Sequence, residues 1–128
     1  MTLRYAVRTH AHERDEDRVR VVERDDGLLI IVCDGAGGMP GGARAADLAV
    51  EILRTRGDVL SDAVSITRAL LLIDGAIKTD AMAGETTCVV LFISADGGIS
   101  GASSGDSEAW VVSGSRIVRL TERQERKL

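Results

Sequence analysis

The sequence predicts an α+β fold with helices packed on an antiparallel sheet, and three observations carry that prediction. Strand-like runs come first, two helical stretches follow and strand-like runs return, unlike the strict alternation of a doubly wound fold. Short turn signals of the Asp-Gly type, at Asp25-Asp26-Gly27 and Ala95-Asp96-Gly97-Gly98, join neighbouring runs as hairpins. The length, 128 residues, suits one domain spanning 1–128 and leaves no room for a second core.

The elements follow in order. Leu3, Tyr5 and Val7 alternate with Arg4, Ala6 and Arg8, which predicts a first half-buried strand. Residues 18–23 and 28–33 read as the next two strands. The second is apolar at every position, so burial on both faces is expected. After the glycine-rich loop 35–42, Ala45, Leu48, Ala49, Ile52 and Leu53 recur at helical spacing and Gly57 supplies a stop. Ser61 is the expected N-cap of a second helix, with Ile66, Leu70, Ile73 and Ile77 on one stripe and Gly75 weakening its interior. Residues 86–93 are β-branched and apolar, hence a strand, and the turn at 95–98 leads into another at 99–104. A last hairpin covers 108–112 and 116–120.

Composition excludes several classes. The net charge of −4 supplies no dense cationic face for phosphate contacts, and 2% aromatics supply no base-stacking platform, so no nucleic-acid partner is expected. The longest strongly apolar stretch, 28–33, is too short to cross a bilayer, and no signal segment opens the chain. No membrane partner and a cytoplasmic location follow as expectations. Two cysteines make no disulfide framework; Cys33 and Cys88 fall inside apolar strands and read as inert core thiols.

The informative stretch is Val32-Cys33-Asp34-Gly35-Ala36-Gly37-Gly38-Met39-Pro40-Gly41-Gly42. A dinucleotide fingerprint fails because Pro40 stands where a third glycine is needed, and no Gly-Lys-Ser/Thr follows for a phosphate loop. Asp34 ends a buried strand as the loop begins. A carboxylate there would repel phosphate unless a divalent cation lay between them, and glycines would let the backbone approach that ion. An ordinary capping aspartate is the alternative. Asp15-Glu16-Asp17 offers hard oxygen ligands, of which at most two can serve one site because strand neighbours face opposite ways; a solvated acidic run is the commoner explanation. Asp106, in Gly105-Asp106-Ser107, could complete an oxygen-rich site or form an Asx turn. Ala109 breaks a nucleophile-elbow pattern, which leaves a serine hydrolase little support. His10 and His12 lack further zinc-type ligands nearby.

Asp15-Glu16-Asp17, then 32–38, then Gly84-Glu85-Thr86-Thr87-Cys88-Val89-Val90, then Gly105-Asp106-Ser107-Glu108-Ala109-Trp110 resemble, in this order, the motifs of the metal-dependent protein phosphatases of type 2C, in the N-terminal half of their domain. The resemblance implies an antiparallel β-sandwich flanked by helices, incomplete at the C-terminus. It implies two Mn²⁺ or Mg²⁺ ions, with a third site in bacterial members. Asp34 corresponds to the bridging carboxylate, Gly35 to the residue giving its carbonyl, Glu16 and Asp17 to the acidic pair, and Asp106 to a ligand of the third ion. The implied reaction is hydrolysis of phosphoserine or phosphothreonine in a phosphoprotein substrate by a water bridging the metals, with Asp34, Glu16 and Asp17 as the catalytic set. Where the family carries a phosphate-binding arginine this chain has His12, with Arg14 two residues on, so both are candidate substrate contacts. Glu108 replaces the arginine common after Gly-Asp-Ser. Family members run to about twice this length, and their later half supplies two further metal-binding aspartates and several strands. An inactive homologue acting as a phosphoprotein-binding or regulatory module is therefore the alternative function, and a dimer or a complementing chain could finish sheet and site. Arginine heavily outnumbers lysine, which is compatible with a GC-rich bacterial source.

Overall fold

The computed structural model describes residues 2–10, 15–36 and 40–122. Its elements run β1 (Asp17–Arg24), β2 (Gly27–Asp34), α1 (Gly42–Thr55), α2 (Ala63–Thr79), β3 (Cys88–Ser94), β4 (Ile99–Ser104), β5 (Trp110–Ser113) and β6 (Arg116–Arg119). The first four strands form one antiparallel sheet in chain order, and β5 and β6 form a second, two-stranded one. The α+β class and the antiparallel pairing stand. The expected strand at 3–7 does not: residues 2–10 carry no strand, and Tyr5 and Val7 are 47% and 50% exposed. Alternation alone makes no strand without backbone pairing to a neighbour, and here a side-chain bond from Tyr5 Oη to Glu23 Oε1 (3.0 Å) links the segment to the edge strand β1.

Strand periodicity divides the large sheet into two unlike faces. On one, Leu29, Ile31 and Cys33 of β2 and Cys88, Val90 and Phe92 of β3 pack in a single core with Ala45, Ala46, Ala49 and Leu53 of α1 and Ile66, Leu70, Ile73 and Ile77 of α2. Fully burying each large aliphatic side chain is worth about 1.5–3 kcal/mol. The opposite face carries Val19, Val21, Ile30, Val32, Leu91 and Ile93, all half-buried, and Ile99, which is exposed. Of the strands' apolar side chains on that side, Leu28 and Val89 are buried. The expected burial of β2 on both faces is thus complete on one face and partial on the other, because both helices lie on the same side.

Arg24 locks the helical layer to the sheet. Its guanidinium lies 4.3 Å from the centre of the Phe92 ring and donates to the carbonyls of Gly57 and Leu60, each at 2.8 Å. Those carbonyls belong to the α1–α2 connection.

The second helix begins one residue later than expected. Asp62, not Ser61, is its N-cap: Asp62 Oδ1 accepts from the Ser65 amide (2.7 Å), while the Ser65 hydroxyl accepts from the Asp62 amide (3.3 Å). That reciprocal pair satisfies two donors the first turn would otherwise leave open. The Ser65 amide holds the Asp62 carboxyl below its usual range. A depressed folded value means the contribution is full above the unfolded range, about 3.9, and is lost as pH falls through the folded value. Asp62→Ala is therefore expected to lower the melting temperature at pH 7 and to converge on the parent near pH 2, as thermal circular dichroism of both proteins would show.

Candidate active site

The site is built at the end of the large sheet where β1 starts and β2 stops. Asp17 and Asp34 are directly opposed in the β1–β2 register, both exposed, on the face turned away from the helices. Directly opposed Cβ atoms on one face lie about 4.5–5.5 Å apart, and like charges there repel. A hard divalent cation between them would turn that repulsion into attraction.

Backbone bonds fix the position of Asp34. Its amide donates to Thr87 Oγ1 (3.2 Å) and its carbonyl accepts from the Thr87 amide (2.9 Å). Gly35 then bridges to Thr86 and donates its amide to the Glu16 carbonyl (3.0 Å), and the Ala36 amide reaches the Glu85 carbonyl (2.9 Å). The exit of β2 is therefore held from both sides. Gly35 is required by a close approach: a Cβ on it would stand 2.5 Å from the Gly42 carbonyl oxygen and 3.1 Å from Glu16 Cβ.

Glu16 points the other way from Asp17, as strand alternation demands. It is 8% exposed, and its Oε2 presses so close to Gly42 that a side chain there would collide with it. α1 has no side-chain N-cap and no acidic residue in its first turn. The Glu16 carboxylate supplies negative charge to that helix N-terminus from outside. Glu16 and Asp17 thus do not face one point together.

The third acidic segment comes to the same end of the sheet. Gly105, in the left-handed region at φ 96°, packs on Thr87, where an added Cβ would be 2.8 Å from Thr87 Cγ2. Ser107 Oγ lies 2.5 Å from Thr87 Oγ1. Fully buried Thr87 therefore joins Asp34 to the turn that carries exposed Asp106. Thr86 and Thr87 are expected from the sequence to serve strand propensity, with a hydroxyl or two satisfying a buried neighbour, and Thr87 Oγ1 does accept from the Asp34 amide. Two threonines before an apolar run carry no signal that a hydroxyl also reaches Ser107 in the Asp106 turn.

His12 and Arg14 lie outside the described residues. Among the described residues no group of three or more His, Cys, Asp and Glu side chains is placed to hold a metal ion. The exposed carboxylates of Asp17, Asp34 and Asp106 are hard oxygen donors, the kind of group that suits Mn²⁺ or Mg²⁺. Among the described residues no helix is long and apolar enough to cross a membrane.

Neither the protein-family models nor the curated proteins contain a match to this chain. Solved structures do match. A bacterial serine phosphatase superposes with a TM-score of 0.71 at 22% identity, over 87% of this chain and 50% of that one. The serine/threonine phosphatase Stp1 from Staphylococcus aureus superposes with a TM-score of 0.73 at 21% identity, over 87% of this chain and 48% of that one. The chain spans about half the length of these phosphatases. Over that span it has the fold of the bacterial serine/threonine phosphatases.

Proposed function

We propose that this chain is the N-terminal part of a bacterial, cytoplasmic serine/threonine protein phosphatase that uses Mn²⁺ or Mg²⁺. The observation that carries the reading is the meeting, at one sheet end, of opposed Asp17 and Asp34, the glycine exit at Gly35 and the Asp106 turn tied to them through Thr87. Asp34 and Asp17 would hold the cation together with the Gly35 carbonyl, and Asp106 would serve a further ion. When bound, such cations activate water and neutralise the charge of a phosphoryl group. The chain's own contribution is positional: Thr87 fixes the backbone of Asp34, and Glu16 holds the start of α1 against the β2 exit. The remaining ligands and strands come from further polypeptide, whether a continuation, a complementing chain or a second copy.

A second reading, a non-catalytic module that binds phosphoproteins, is favoured by the incomplete donor set among the described residues. Calorimetric titration with Mn²⁺ and hydrolysis of a phosphothreonine peptide separate the two. Turnover by the purified chain excludes the module. Asp34→Asn is expected to weaken Mn²⁺ binding by more than about tenfold; unchanged affinity would remove Asp34 from the site.

A further inference from the structure

Cys33 and Cys88 stand opposite each other one step beyond the Val32–Val89 pair of β2 and β3. Both are fully buried, and their Sγ atoms lie 3.4 Å apart although 55 residues separate them in the chain. The next pair, Asp34 and Thr87, is joined by the bond from the Thr87 amide to the Asp34 carbonyl. In an antiparallel ladder hydrogen-bonded and non-bonded pairs alternate, so the cysteines occupy a non-bonded pair, with Cα atoms about 4.5 Å apart. A disulfide spans Cα separations of about 4.4–6.8 Å. Both backbones are therefore already within bridging distance, and the sulfurs need only rotate and draw together.

We propose that Cys33 and Cys88 are an oxidisable dithiol that closes to an intramolecular disulfide beneath the Asp34 end of the sheet. This goes beyond the phosphatase reading and does not depend on it. The oxidant is hydrogen peroxide. One thiol takes its terminal oxygen as the O–O bond breaks, giving a sulfenic acid and releasing water. The second sulfur then attacks the first, the S–O bond breaks and a second water leaves. Two thiols and one hydrogen peroxide become one disulfide and two waters. In the reduced protein the mutual hydrogen bond, and then burial, push the Cys88 thiol well above its usual range. Thiolate is scarce as a result, which makes the reaction slow and restricts it to oxidants small enough to enter the core. Because Cys33 precedes Asp34 and Cys88 follows Thr87, the bridge ties together the two strand ends that carry them.

The test treats the folded, metal-free chain with hydrogen peroxide, removes the peroxide with catalase, and alkylates in denaturant before mass spectrometry. The expected product is a monomer lighter by two hydrogens, refractory to alkylation, yielding a peptide that links Cys33 to Cys88 and reverting with dithiothreitol. Cys88→Ala should give no such product. Two alkylated thiols, sulfur that gains oxygen without linking, or a link between two chains would each overturn the proposal. The measurement on the unmodified sequence decides this even if the variant fails to fold.

Discussion

Ile73→Ala is expected to destabilise the chain by about 2–5 kcal/mol, the sum of lost transfer energy and a cavity that its neighbours fill only in part. Ile73 is fully buried on the stripe of α2 that meets the sheet, in one cluster with Leu29, Ile31 and Val90. α2 packs against α1 and β4, so regular elements wall the hole. Total stability for domains of this kind is about 5–15 kcal/mol, so one substitution removes a large share. Urea denaturation followed by circular dichroism checks it: the midpoint should fall with an unchanged slope. A loss below about 1 kcal/mol would mean that the two layers close over the gap.

Gly35→Ala is expected to cost about 1–3 kcal/mol by overpacking and, with it, to weaken Mn²⁺ binding. The added Cβ meets the backbone of Gly42 at 2.5 Å, where no rotamer change gives relief. Either the β2 exit or the first turn of α1 must move, and Asp34 sits on the first of these. Gly75→Ala is the control. Nothing lies within 4 Å of a Cβ added at Gly75 inside α2, so there alanine should stabilise by about 0.4–1 kcal/mol. Parallel melting curves and Mn²⁺ titrations of the two variants should show effects of opposite sign on stability, with metal affinity altered only in Gly35→Ala.

Local pattern was enough to place most elements. The apolar runs of β2 and β3, the four-residue spacing of Ala45, Ala49 and Leu53, and the Ile66–Ile73–Ile77 stripe each contain their own periodicity, and each forms the element that periodicity specifies. Errors arose where the deciding partner is distant. Alternation at Leu3, Tyr5 and Val7 carries no information about whether the segment's backbone pairs with the β1 edge beside it. The all-apolar β2 could not reveal that both helices share one side of the sheet. In the candidate site, Asp34 and Gly35 stood out because a carboxylate followed by glycines at a strand end has few uses. The direct opposition of Asp17 and Asp34, the role of Thr87 between them and Asp106, and the Cys33–Cys88 contact all depend on register, which short sequence windows do not encode. Asp62 displaced Ser61 as the cap by one residue because both are good caps, and Ser65 completes the reciprocal pair only with Asp62.

The sheet surface turned away from α1 and α2, lined by Val19, Val21, Ile30, Val32, Leu91, Ile93 and Ile99, governs how the purified chain behaves in a tube. Such a surface, flanked by strand edges ready to accept another backbone, favours colloidal attraction between molecules over dispersion. Sulfate and other salts excluded from protein surfaces strengthen that attraction. Precipitation should therefore set in at lower ammonium sulfate than for a protein of equal charge whose sheet is shielded on both sides.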